Sequence, residues 1–198
     1  DDILRLFKYC LTLSSNSSQV QDYNRLDFLK KSAILLSGTL LSTLLIGMKW
    51  GRYNFKKNYQ DIYIPNWPKK LSNYKIVHIS DLHLGSFNST KKLEDIVTMI
   101  NNEAPNIVVF TGDLVNNYYH EAIPYVNILK KIKAKHGKYS VLGNHDYCDY
   151  VMLKRESKKW KENFNSLLNL EKEAGFDLLL NESREITIAN EKFNIVGV

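Results

Sequence analysis

Three short polar stretches, each closing a run rich in Val and Ile, constrain this chain more than anything else in it. They are Asp81-Leu82-His83 after residues 74–80, Gly112-Asp113 after 107–111, and Gly143-Asn144-His145-Asp146 after 138–142. Short apolar runs that end on a Gly or Asp turn signal read as buried strands. Each polar block then arrives at the C-terminal end of a strand, where open α/β sheets gather their chemistry. Any one block alone is an ordinary loop start, since Asp-x-His and Gly-Asp often follow strands without a ligand role. Three of them in this order point to a metal site.

The residue types set the kind of metal. Carboxylates, an amide carbonyl and imidazoles suit Mn, Fe or Zn better than a thiolate-seeking ion. Asp81 and His83 stand two apart on a segment expected to be extended, so both side chains leave one face and can grip one cation. Asp113 has two oxygens with which to bridge a pair of cations, and Asn144 offers a carbonyl oxygen to the second. His145 points differently and is expected to meet a phosphate rather than a metal. Two cations about 3.5–4 Å apart can clamp both the attacking and the leaving oxygen of an in-line phosphoryl displacement.

These blocks resemble the calcineurin-like metallophosphoesterases, whose pattern runs D-x-H, G-D, G-N-H-[DE], then a G-H and a G-H-x-H. The resemblance covers roughly residues 75–198, and G-N-H-D after a hydrophobic strand is its most specific part. Residues 76–87, 113–117 and 143–150 look most like a membrane-linked bacterial branch. The resemblance implies the N-terminal half of a four-layer α/β sandwich, the metallo-dependent phosphatase fold, preceded by a transmembrane helix. It implies that Asp81 and His83 bind metal one, Asp113 bridges and Asn144 binds metal two. His145 then stabilises the transferring phosphoryl group or protonates the leaving oxygen, and Asp146 orients His145 by a hydrogen bond. The implied reaction is hydrolysis of a phosphoester or pyrophosphate bond by a hydroxide activated between two metals. A phosphorylated small molecule, a nucleotide or a lipid-linked compound is the implied substrate.

Two departures from the family pattern stand out. Neither G-H nor G-H-x-H occurs, and of the five histidines the three outside the blocks, His78, His120 and His136, do not follow a Gly. Residues 1–198 alone are therefore expected to bind metal weakly and to hydrolyse a generic aryl phosphate negligibly. With Asp1 in place of Met, the chain is expected to be a piece of a longer protein at both ends. The second departure is Cys148, where this branch usually carries Gly; a positive φ there would cost a non-Gly residue about 1 kcal/mol.

The first part of the chain has a different character. Residues 32–48 carry no charge and lie between Lys30-Lys31 and Lys49 with Arg52. That is near the lower limit of about 17 residues for a membrane span, and Ser32, Ser37, Thr39, Ser42 and Thr43 weaken it. Flanking Lys and Arg can snorkel, and Trp50 and Tyr53 can sit at the interface. A buried core helix or a signal-peptide core is the competing reading. Flanking charge does not set the orientation, and the paired-arginine export signal of related proteins is reduced here to the single Arg25. The organisation expected is an amphipathic and linker region over 1–31, a transmembrane helix over 32–48, a linker over 49–71 and the N-terminal part of the catalytic domain over 72–198. A bacterial inner membrane is the expected location.

Beyond residue 80 the pattern alternates strand and helix. Helices are expected over 91–102 with Ser89 or Thr90 as cap, over 122–132, and over 152–174 ended by Gly175. Strands are expected at 176–180, 185–188 and 193–198, with a short edge strand at 62–64. His78 is expected to be packed or hydrogen-bonded in its strand, and His120 and His136 to be solvated. Cys10 and Cys148 are too few for a disulfide scaffold. The charge of +6 comes from scattered lysines, so nucleic acid is not the expected partner; the densest group, over 154–161, is a solvated helix face. A basic surface also favours anionic lipid head groups. Two rival functions remain: a catalytically silent scaffold module at the membrane, and a mononuclear nuclease-like hydrolase.

Overall fold

Strand β2 (Ile107–Phe110) has Ile107, Val108 and Phe110 buried, so it has to run inside a sheet covered on both faces. In the computed structural model, which describes residues 25–151 and 153–198, it does. A parallel sheet runs in the order β1-β2-β3-β4, with β1 at Ile76–Ile79, β3 at Lys138–Ser140 and β4 at Asp177–Leu178. Ile79 pairs with Phe110 and Phe110 with Ser140, so β1, β2 and β3 finish level with one another. Their following loops emerge side by side.

Helix α2 (Thr90–Asn102), capped by the Ser89 hydroxyl accepting from Lys91 N, joins β1 to β2. Its Leu93, Ile96, Val97 and Ile100 enter a core with Phe110, Leu114, Leu129, Leu167 and Phe176. Residues 122–132 do not form the single helix expected. Two 3₁₀ turns, Tyr119–Glu121 and Ile123–Tyr125, precede a short helix α3 (Val126–Leu129). Pro124 supplies the reason, because its missing N–H and fixed φ are tolerated only at a helix start. Helix α4 (Lys158–Glu173) likewise starts later than expected, since Ser157 caps it through Trp160 N and Glu156 has φ 66°. It stops where expected. Gly175 at φ 85° lets Phe176 N reach Glu171 O and Gly175 N reach Lys172 O, the paired bonds of a Schellman end.

Strands β5 (Glu182–Ile188) and β6 (Glu191–Gly197) form an antiparallel hairpin turned by Ala189 and Asn190, both at positive φ. Gly197 fixes its seat: a Cβ there would stand 2.3 Å from Leu179 Cβ and 2.8 Å from Val141 Cγ1. No strand forms at 62–64. Ile62 and Tyr63 are exposed and without regular structure, and Pro65 limits continuation of an extended ladder. The lead-in is instead anchored by rings, with Phe193 5.2 Å from Trp67 and 5.5 Å from Tyr74. His136 belongs to that cluster rather than to solvent. It stacks on Tyr74, whose hydroxyl lies 2.9 Å from its Nδ1, and burial lowers its pKa. His120 is exposed, with its ring stacked on Tyr118, and His78 hydrogen-bonds Thr111 Oγ1 at 2.7 Å.

The buried face of α4 carries Glu171, 1% exposed, bonded through one oxygen to the Ser140 hydroxyl while Oε1 has no partner among the described residues. Burial pushes its pKa up to about 8 from 4.5. The folded chain thus keeps a proton that the unfolded chain releases. This stabilisation is complete below about pH 4.5 and is lost as pH rises toward 8.

The chain divides into two compact units, Asp1–Asn54 and Phe55–Val198. In the first, helix α1 (Arg25–Trp50) exposes Leu35, Leu36, Leu40, Leu41, Leu44, Leu45 and Ile46. The candidate span, Arg25–Met48, covers 24 residues, about 36 Å at ~1.5 Å per residue; its charge-free run 32–48 covers about 26 Å against a hydrocarbon core of ~30 Å, so the flanking charged residues complete the crossing. By length and composition it can cross a membrane. Two of the hydroxyls that count against it are satisfied internally, Thr39 by Leu35 O and Thr43 by Thr39 O, each at 2.8 Å, which lowers their cost in lipid. Residues 1–24, with the amphipathic stretch 1–13, the polar linker 14–19 and Cys10, lie outside the described residues, as does Met152.

Two outcomes are expected. In thermal unfolding from pH 5 to 8.5, Glu171→Gln lacks part of the wild-type decline, by at most ~1.4 kcal/mol per pH unit; parallel curves would contradict the assignment. Carbonate washing of membranes leaves the intact protein in the pellet, and deletion of the residues before Asn54 releases the remainder to the soluble fraction. Intact protein in the wash would make α1 a helix of some other kind.

Candidate metal centre

The loops after β1, β2 and β3 meet through their backbones. Asp81 N donates to Gly112 O, His83 N to Asp113 O and Leu84 N to Leu114 O, all at 2.9–3.1 Å. The second and third loops approach so closely that only glycine fits between them. A Cβ on Gly112 would stand 1.9 Å from Gly143 N, and one on Gly143 2.2 Å from Asp113 Oδ1. The glycines of the second and third blocks are thus the space in which two loops cross.

Asp146 ties that crossing together. Its carboxylate is fully buried; Oδ2 accepts from Asp113 N at 2.7 Å and Gly143 N at 2.9 Å. Oδ1 accepts from Leu114 N at 2.9 Å and Val115 N at 3.4 Å. Burial raises its pKa and these amides pull it down. The sequence expectation that Asp146 orients His145 by hydrogen bonding is corrected here, because both oxygens serve backbone amides. The His145 ring is held by a different group, the carbonyl of Asn116, 2.7 Å from Nδ1. That carbonyl is fixed in turn by Glu121, whose carboxylate accepts from the amides of Asn116, Asn117 and Tyr118.

Around this frame His83, Asp113 and His145 gather, with Asp81 beside His83. His83 Nε2 lies 3.8 Å from Asp81 Oδ1 and 3.7 Å from Asp113 Oδ2. Asp113 Oδ1 accepts from His145 N at 2.9 Å, so its two oxygens face different neighbours. Ligand atoms of His83, Asp113 and His145 all fall within 4.8 Å of one another, and the two imidazoles meet edge to face at 4.7 Å. Asn144 donates its Nδ2 to Tyr150 OH at 2.6 Å, which turns Oδ1 the other way. Asp81 is open, its side chain 64% exposed, and accepts from the Ser80 hydroxyl. Asp81 and His83 converge by another route than an extended segment. Both have positive φ, 56° and 44°, on either side of Leu82.

The donor set fits a divalent cation. Separations of 3.7–3.8 Å are too long for hydrogen bonds, yet suit atoms that share one ion through bonds of about 2.1 Å. Hard carboxylate and amide oxygens beside imidazole are the ligands Mn, Fe or Zn take. The residues that sequence reasoning missed are Asn116, Glu121 and Tyr150. The first acts through its backbone, which leaves no side-chain signature. Glu121 follows Asn116 by five residues with no motif around it, and Tyr150 is one tyrosine among twelve.

The model of the calcineurin-like phosphoesterase family matches residues 74–194. The uncharacterized metallophosphoesterase YkuE of Bacillus subtilis is 34% identical over 87 residues, 42% of this chain and 30% of that protein. The transmembrane protein with metallophosphoesterase domain of Danio rerio is 36% identical over 89 residues, 44% of this chain and 20% of that one. UDP-2,3-diacylglucosamine pyrophosphatase LpxG of Chlamydia trachomatis is 34% identical over 119 residues, 57% of this chain and 36% of the other. The chain spans less than half the length of the curated relatives it matches.

Removing the Asp146 carboxylate leaves four amides without an acceptor, at ~1–3 kcal/mol for each buried group left unpaired. Asp146→Ala is expected to cost at least ~3 kcal/mol, about 10 °C in Tm for a chain of this size. Asp146→Asn restores less than half of that, since its amino group faces donors. Differential scanning calorimetry checks both; an unchanged Tm for either would remove the clamp.

Proposed function

The chain belongs to the calcineurin-like phosphoesterase family, and on that premise we propose that it hydrolyses a phosphoester or pyrophosphate bond with the help of two divalent cations. The observation that carries this reading is the convergence of His83, Asp113 and His145 at the level ends of three adjacent parallel strands. Asp81 and His83 would hold one cation and Asn144, through Oδ1, the other, with the carboxylate of Asp113 available to both. When bound, such a pair lowers the pKa of a bound water and neutralises charge on the phosphoryl oxygens. Manganese, iron and zinc all suit this donor set.

His145 acts on the substrate. With Nδ1 against the Asn116 carbonyl, the ring is oriented and Nε2 is the nitrogen left for a phosphoryl or leaving-group oxygen. In that orientation an Nε2–H can donate to an oxygen gaining negative charge. Asp146 contributes indirectly, by holding the amides of Asp113 and Gly143.

A lipid-linked or nucleotide phosphate is the substrate class this reading favours. Helix α1 is apolar enough to cross a bilayer, and one relative is named as a pyrophosphatase of a diacylated sugar nucleotide. In this reading residues 32–48 sit in a bacterial inner membrane, 49–71 link, and 72–198 form the N-terminal part of the catalytic domain, after the amphipathic and linker region 1–31.

Asp113→Asn removes the negative charge between two cations, so the intact protein is expected to lose at least one metal equivalent and nearly all turnover. His145→Ala removes no proposed ligand. Metal content therefore stays near two while turnover falls by ~10²–10⁴, less for substrates with good leaving groups if the ring protonates the leaving oxygen. Elemental analysis of purified variants beside their kinetics decides. Loss of metal in His145→Ala would make that histidine a ligand and overturn its role here.

A further inference from the structure

Tyr150 touches two members of the G-N-H-D block at once, by two different interactions. Its hydroxyl lies 2.6 Å from Asn144 Nδ2, and its ring stacks on that of His145 with centroids 4.3 Å apart and planes 21° from parallel. The side chain is 64% exposed, so burial does not hold it in place. It sits in the irregular segment that precedes α4, six residues after Asn144. From these contacts we propose that Tyr150 is a positioning residue for this site, setting the Asn144 carboxamide for metal and the His145 ring for substrate. The proposal rests on the two-metal reading given above.

A carboxamide presents an oxygen at one end and an NH₂ at the other, and only the oxygen binds a cation. A free Asn can rotate to either. A hydroxyl that accepts from Nδ2 selects the orientation in which Oδ1 is free, so the ligand needs no reordering when a cation arrives. Groups that orient metal ligands in this way are typically worth ~10–100-fold in metal affinity. The ring argument is separate. His145 is held at Nδ1 by the Asn116 carbonyl, a single point about which an imidazole can still swing. The edge of His83 bounds one side at 4.7 Å and the face of Tyr150 another at 4.3 Å. Three contacts fix a ring that one does not.

The two functions separate by substitution. Tyr150→Phe keeps the stack and removes the hydroxyl; Tyr150→Leu removes both. Because the side chain is mostly exposed, neither variant loses core packing, and circular dichroism with thermal unfolding confirms the fold. Manganese binding to the intact protein is measured by titration calorimetry, and turnover of an aryl phosphate is then measured at saturating manganese. The expected result is that Tyr150→Phe weakens the second equivalent ~10–100-fold and leaves the first unchanged. Tyr150→Leu shows the same weakening and, at saturating metal, an added loss of turnover of ~10-fold that Tyr150→Phe lacks. Wild-type affinity for the second equivalent in Tyr150→Phe would overturn the carboxamide role. Equal turnover of the two variants at saturating metal would overturn the ring role. A wild-type protein that takes up only one equivalent would overturn the two-metal reading itself, and with it this assignment.

Discussion

The geometry of the candidate metal centre depends on one buried carboxylate. Asp146 takes two backbone amides on each oxygen, three from the loop after β2 and one from the loop after β3. Its charge is removed from water, and the four donors replace the lost hydration. The geometry follows from that exchange. Once Asp113 N and Gly143 N share an oxygen, the loops must lie within contact of each other, and Gly112 and Gly143 are the residues that allow it. Asp113 Oδ1 is then delivered to His145 N, and side-chain atoms of His83, Asp113 and His145 come within 4.8 Å of one another. A carboxylate from the last position of the third block thereby sets the positions of the second.

The same frame carries local strain. Asp81, His83 and Asp113 all have φ between 44° and 57°, and Cys148 has 62°. Each costs of order ~1 kcal/mol outside glycine. Asp tolerates this region better than most residues, His nearly as well, so these residue types suit the backbone they occupy. Cys148 has no such tolerance. Its loop nonetheless keeps the positive φ that a glycine would adopt freely, with the thiol side chain buried. The account of why strain gathers here is geometric: a strand that must turn its next side chain back over its own end does so most directly with one left-handed residue.

The parts of this arrangement that could be read from the sequence are those written in short, contiguous patterns. The three blocks were legible because each follows a strand-like run and ends on a turn residue, and the parallel sheet with its α2 and α4 helices followed from the spacing of Leu93, Ile96 and Ile100 and of Trp160, Phe164 and Leu167. The Gly175 stop was legible for the same reason. What was illegible runs between distant residues or through the backbone. Three of the four amides that Asp146 accepts from lie some thirty positions away, and the partner of His145 is a main-chain carbonyl. Pro124 inside an apolar repeat was outweighed by the periodicity around it, which is why one long helix was expected where turns and a short helix stand. His136, placed in a lysine-rich loop, gave no sign that Tyr74 would cover it.

The most direct test of this account is anomalous diffraction from crystals of the intact protein grown with manganese. The account predicts two peaks about 3.5–4 Å apart at the ends of β1, β2 and β3, with Asp113 between them, Asp81 and His83 on one and Asn144 Oδ1 on the other, and the Asp146 carboxylate still on its four amides. A single peak, or peaks that engage His145 in place of Asn144, would contradict it.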